Sequence, residues 1–238
     1  MGKNLIQQKR GKGSSRYRAP SFRYKGKSQF IRYEEGKVTA YASDIVHSQV
    51  HSAPLLELKY SNGEVGLLQS PEGIKVGDKI EMGADVEIKP GNVLPLKNIP
   101  EGIFIYNIES NPGDGGKFVR ASGAFAKIIT KTDEGIVVEL PSSKRKTFSP
   151  DCRAAVGVVA GSGRTEKPFL KAGSRFYAMT AKNKVWPQVS GTSMNSVSHP
   201  FGGSSSHAKG IPTQSSRNSP PGRKVGKIAP KRTGRHKR

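Results

Sequence analysis

Every acidic residue of this 238-residue chain lies between positions 34 and 166. Residues 1–33 hold ten Lys or Arg and no acid, and residues 167–238 hold fifteen and no acid. The other fifteen basic residues share the middle with all 18 acids, leaving it at −3, while the whole chain stands at +22. Acid-free runs this long repel themselves and need a polyanion to compact. They are also poor in packing material. GGSSSHAK at 202–209 and NSPPG at 218–222 have neither helical nor strand periodicity. Such ends bury too little apolar surface to offset their ordering entropy, so alone they are expected to be disordered and to order along a nucleic acid.

The middle reads as β-structure. Short β-rich runs recur at Lys37–Ala42, Leu55–Tyr60, Glu64–Gln69, Lys79–Met82, Gly102–Ile108, Phe125–Lys131, Gly135–Leu140, Lys144–Phe148 and Arg153–Val159. Asn62-Gly63 is a hairpin signal, and Asp133-Glu134-Gly135 and Pro141-Ser142-Ser143 punctuate a meander. No stretch of ten or more residues holds an apolar 3.6 period. Many short strands and no crossover helices suit small barrels rather than a parallel α/β sheet. Lys89–Pro100, with Pro90, Gly91, Pro95 and Pro100, is expected to be a connector and not a central strand. The expected fold is therefore mainly β: a basic arm over 1–36, one small barrel over 37–88, a second over 89–166, and an irregular basic extension over 167–238.

Few residues suggest chemistry. The single cysteine, Cys152, excludes an internal disulfide and a Cys-cluster zinc site. His47 and His51 have metal-ligand spacing on a helix, but no zincin Glu or third ligand accompanies them. Ser110–Lys117, SNPGDGGK, superficially resembles a phosphate-cradling loop, yet Phe118 stands where a Walker loop needs Ser or Thr. It reads either as a turn offering amides and Lys117 to an RNA phosphate or as an ordinary hairpin turn. Ser193, His199 and Asp151 supply hydrolase residue types without a nucleophile elbow, and Ser198 beside the histidine offers no carboxylate. The N-terminal segment has no apolar core like that of a signal peptide, and no window is apolar enough to span a bilayer. Aromatics lie among the cations instead: Tyr17, Phe22, Tyr24 and Phe30 in the arm, and Phe176, Tyr177, Trp186 and Phe201 in the tail. Cations that meet phosphates and rings that stack on unpaired bases suit RNA.

An ordered series of short motifs carries a resemblance. It runs from Arg18-Ala19-Pro20 through Ser70-Pro71-Glu72-Gly73 and Pro90-Gly91-Asn92-Val93-Leu94-Pro95-Leu96 to Asn111–Lys117 and Arg120-Ala121-Ser122-Gly123. Arg164-Thr165-Glu166-Lys167-Pro168, Trp186-Pro187, Met194-Asn195, His199-Pro200-Phe201-Gly202-Gly203 and Pro220–Gly226 complete it. The chain resembles the ribosomal protein L-two family of the large subunit, in its archaeal or eukaryotic form, along nearly its whole length. The resemblance implies an OB-type barrel followed by an SH3-like barrel, with extensions threaded into large-subunit rRNA. It also implies a structural, non-enzymatic constituent of the cytoplasmic ribosome that supports assembly, subunit association and the architecture around the peptidyl-transferase centre. The family's discussed histidine falls on His199. Ser198 replaces a residue that is usually acidic in relatives, and Ser190 replaces a common arginine, which weakens any catalytic pairing there.

The residues expected to meet RNA are Arg10, Arg16, Arg18 and Arg23 in the arm and Lys117, Arg120 and Arg164 in the body. In the tail they are Lys167, Lys171, Trp186, Asn195, His199, Gly202, Gly203, Arg217, Arg223, Lys224, Arg232 and Arg235. Expected partners are large-subunit rRNA, neighbouring ribosomal proteins and small-subunit rRNA at an intersubunit bridge. No protein cofactor, small-molecule substrate or membrane is expected, and any Mg2+ would be held by the rRNA. A free-standing RNA-binding factor and a hydrolase using Ser193 and His199 are the competing readings.

Overall fold

The computed structural model describes residues 2–32, 36–203 and 212–232. Two compact units emerge: Ser21–Leu170, and Met1–Pro20 together with Lys171–Arg238. Strand outweighs helix two to one, at 26% against 13%, so the protein is mainly β.

Among its described residues the larger unit carries ten strands: β1 (Val38–Val46), β2 (Leu55–Tyr60), β3 (Val65–Gln69), β4 (Lys79–Met82), β5 (Val93–Pro95), β6 (Phe104–Tyr106), β7 (Ala126–Thr132), β8 (Gly135–Glu139), β9 (Arg145–Phe148) and β10 (Arg153–Val156). They form one sheet in the order β3-β2-β1-β4-β5-β10-β6-β7-β8-β9. The Asn62-Gly63 turn sets the β2–β3 register at Lys59↔Val65. Gly63 takes φ +85°, and Asn62 Oδ1 accepts from Glu64 N at 3.0 Å.

Two apolar cores lie along this sheet. Leu56, Leu58 and Tyr60 of β2, with Ala40, Leu68, Ile80 and Met82, build the first. Ile128, Ile136, Val138 and Phe148, with Leu96 and Ile99, build the second. The middle strands serve both, because successive side chains point to opposite faces of a strand. Val93, Tyr106 and Ala155 face the first core, while the adjacent Leu94, Ile105, Ala154 and Val156 face the second. Ala154, Ala155 and Val156 of β10 are all buried for that reason.

β5 corrects the expectation for Lys89–Pro100. The segment supplies a central strand, parallel to β4 at Met82↔Val93 and antiparallel to β10. The prolines limit it to three residues without abolishing it, since Pro95 ends the strand, where its missing N–H matters least. Asn92 substitutes for ladder bonds on one side: its Oδ1 accepts from Glu81 N at 3.0 Å and its Nδ2 donates to Glu87 O at 2.9 Å.

The smaller unit carries short regular elements despite its basic composition. It contains α1 (Ile6–Gly11), α2 (Ala172–Ala181) and two short parallel strands, β11 (Gln214–Ser215) and β12 (Lys227–Ile228). Arm and tail are tied together: Lys3 N donates to Val197 O at 2.8 Å, and Asn183 Nδ2 donates to Tyr17 O at 2.8 Å. Leu5 and Val225 are buried, but no residue of α2 is. That is why no apolar period marks α2 in the sequence: the helix has no core-facing stripe.

Candidate nucleic-acid interface

The Gly-rich loop after β6 closes on itself. Asp114 Oδ2 accepts from Ser110 N at 3.1 Å and Asn111 N at 3.2 Å, and its Oδ1 accepts from Gly116 N at 3.1 Å. Glu109 takes Gly113 N at 3.3 Å and Gly115 N at 3.0 Å. Asp114 N, Lys117 N and Phe118 N donate to Asn111 O, Ile108 O and Ile108 O. Pro112 has no N–H, so each amide from 110 to 118 already has a protein acceptor. The chain's own carboxylates and carbonyls thus occupy the backbone donors of this loop. Burial raises the Asp114 carboxyl, but the Gly116, Asn111 and Ser110 amides and the nearby Lys117 ammonium bring it below its usual value. The Lys117 ammonium stays exposed, 3.5 Å from Asp114.

Beneath the loop lies a buried ion pair between two residues that no sequence motif marks. Arg153 Nη2 and Nε donate to Glu109 Oε1 at 2.7 and 3.1 Å, and Arg153 N donates to Glu109 Oε2 at 2.9 Å. Arg153 Nη1 donates onward to Ile31 O at 2.9 Å, fixing the segment that enters the sheet. Arg120 acts alike: Nη2 donates to Ser28 O at 2.6 Å and Nη1 to Gly116 O at 3.2 Å. With its amide turned to match these neighbours, Gln69 accepts from Arg120 Nε at 2.9 Å. The Arg120 guanidinium is thus directed at protein carbonyls.

The turn at His199 is built from its own backbone. Gly202 N donates to His199 O at 2.9 Å and Gly203 N to Met194 O at 3.1 Å. A Cβ on Gly202 would overlap the carbonyl oxygens of Met194 and Asn195, and one on Gly191 would overlap the His199 ring. His199 Nδ1 accepts from Phe201 N at 3.0 Å, so the neutral ring carries its proton on Nε2. Burial holds the imidazole below its ordinary pKa. A catalytic triad needs a carboxylate on Nδ1; here a backbone amide has that position. Asp151 instead holds Lys97 Nζ at 2.9 Å. His51 Nδ1 lies 2.9 Å from Ser48 Oγ, and no group of three or more His, Cys, Asp or Glu suited to a metal occurs among the described residues.

The remaining expected contacts are mostly open to solvent. Arg10, Arg16, Arg18, Arg23, Arg164, Lys167, Lys171, Asn195, Gly203, Arg217 and Arg232 are exposed, and Trp186, Gly202, Arg223 and Lys224 are half-buried. Arg23 lies 5.3 Å from the Phe22 ring centroid, Arg164 Nε donates to Ser122 Oγ at 2.8 Å, and Arg223 Nη2 donates to Pro212 O at 3.0 Å. Arg235 lies outside the described residues. Sequence reasoning missed Glu109, Arg153 and Gly191; only the structure reveals that they position the loop and the His199 turn.

Known proteins give the arrangement its context. Residues 89–223 match the family described as Ribosomal Proteins L2, C-terminal domain. The large ribosomal subunit protein uL2 of Methanocaldococcus jannaschii is 53% identical over 239 residues, covering 98% of this chain and 99% of its own. The protein of the same name from Methanococcus vannielii is 51% identical over 239 residues, covering 99% and 100%. That from Haloarcula marismortui is 50% identical over 236 residues, covering 99% and 98%. With a body built on one mainly β sheet, exposed cations along acid-free ends and full-length identity at this level, the chain belongs to the ribosomal protein L2 (uL2) family, in its archaeal type.

Proposed function

We propose that the chain is a structural constituent of the cytoplasmic large ribosomal subunit. It binds large-subunit rRNA early in assembly and supports subunit association and the architecture around the peptidyl-transferase centre without catalysing a reaction. The observation that carries this reading is the segregation of charge: all 18 acids lie in 34–166, and both ends are acid-free. The body, read as an OB-type barrel over 37–88 and an SH3-like barrel over 89–166, is the scaffold. The arm over 1–36 and the extension over 167–238 are the RNA-contacting parts.

In this reading Arg10, Arg16, Arg18, Arg23, Arg164, Lys167, Lys171, Arg217, Lys224 and Arg232 meet phosphates, where each neutralised charge releases counterions. Lys117 adds a point charge beside its closed loop, and Arg120 acts by fixing Ser28. Neighbouring ribosomal proteins and small-subunit rRNA at an intersubunit bridge complete the set of partners. Tagged chain expressed in an archaeal host should stay with large subunits through a high-salt wash. Recovery in the ribosome-free fraction would point to a free-standing RNA-binding factor instead. Subunits carrying His199→Gln should assemble and form peptide bonds at near-normal rates.

A further inference from the structure

Within the smaller unit, arm and tail enclose a cleft of about 410 Å³. Phe176 and Thr180, one helical turn apart on α2, lie on one wall. Trp186 lines it from the segment after the helix. Arg16, Arg18 and Lys184 line it as well, all three exposed, and among the described residues none that lines it is acidic. Arg175, which does not line the cleft, sits 5.3 Å from the Trp186 ring centroid. Its guanidinium supports the indole by a cation–π contact. The cleft holds its shape because Asn183 Nδ2 donates to Tyr17 O at 2.8 Å, joining its two sides.

We infer that this cleft is a subsite for one unstacked nucleotide of single-stranded RNA, its base against Trp186 and Phe176 and its phosphates met by Arg16, Arg18 and Lys184. The inference rests on the rRNA-binding reading above and adds the site and the strand form. Phe176 is 44% exposed on a helix with no buried residue, an arrangement that leaves a large ring for a partner to cover. Charge complementarity selects a polyanion, and the pairing of rings with cations selects one that carries bases. A duplex is excluded because its bases are already stacked inside it. Thr180 Oγ1 donates to Phe176 O at 3.0 Å and Asn183 Nδ2 donates to Tyr17 O at 2.8 Å, so each is engaged within the protein. Recognition through ring faces makes the site tolerant of base identity.

Trp186 is the sole tryptophan, so its emission reports on this cleft alone. The full-length chain is titrated with single-stranded hexauridylate and hexaadenylate, with an RNA hairpin duplex of equal phosphate number, and with oligoglutamate. Filter retention is measured in parallel. Both single strands should quench the emission strongly and to similar extents, and the duplex should quench it little. Phe176→Ala should weaken single-strand binding about tenfold, whereas Trp186→Phe, which keeps a ring, should stay within about threefold of the parent. Lys184→Gln, at an exposed position, should lower the salt slope by about 0.7. Retention of single strands with unchanged emission overturns the subsite but leaves the rRNA-binding reading standing. No retention of any RNA overturns both. Equal quenching by oligoglutamate overturns the nucleotide and assigns the cleft to an acidic protein segment.

Discussion

Gly202 has no room for a side chain, and the obstacle is the chain's own backbone at Met194 and Asn195. Its sequence context, Phe-Gly-Gly after His199-Pro200, suggested close approach to RNA. The structure supplies an internal neighbour for that close approach, the backbone of Met194 and Asn195. Gly202→Ala should therefore destabilise the turn itself, by about 1–3 kcal/mol. Limited proteolysis of RNA-free protein should cleave the variant faster near 190–203; equal rates would return the glycine to an RNA-packing role. The His199 turn is also sensitive to pH. Burial lowers the His199 pKa below the ordinary 6.5, so the unfolded turn binds the proton more readily than the folded one. The turn is fully stable above about pH 6.5 and loosens as pH falls through the lower folded value, because protonation puts a hydrogen on Nδ1 where Phe201 N already donates. NMR titration should place the imidazole below 6.5, with the Phe201 amide shifting in step. A midpoint at or above 6.5 would contradict this.

The loop after β6 depends on one buried carboxylate. Glu109 serves the Arg153 guanidinium and three backbone amides, those of Gly113, Gly115 and Arg153. Glu109→Ala should cost about 3–5 kcal/mol, since it leaves a buried charge unpaired. Replacing the pair by Glu109→Leu with Arg153→Met often restores stability when a buried ion pair stands alone. Here it should not, because the amides also lose their acceptor. Denaturant unfolding decides; near-parental stability of the double variant would mean the amides matter little. The strands were largely legible, because alternation and turn residues are local signals, as at Leu55–Tyr60, Asn62-Gly63 and Val65–Gln69. β5 was not, since three residues flanked by prolines carry no period and are held by β4 and β10. The Glu109–Arg153 pair, 44 residues apart, is equally invisible without the fold. α2 has no buried face to leave a pattern.

At the scale of the whole molecule, the sheet concentrates its acids and apolar side chains in one unit, while arm and tail present cations to a partner. If about six to ten of the 40 basic residues meet phosphates, log K should fall with log salt at a slope of about −4 or steeper. Truncation after Gly203 removes ten Lys or Arg and should flatten that slope markedly; an unchanged slope would make those residues passengers. The charge partition was the most legible feature of all, because it needs no fold to be read. Protein–RNA crosslinking of the full chain assembled on large-subunit rRNA reads out this partition. Crosslinks should concentrate in 1–32 and 167–232, with few in 36–166 apart from Lys117 and Arg164. A map dominated by the body's strand surfaces, with the arm and tail sparse, would contradict the account.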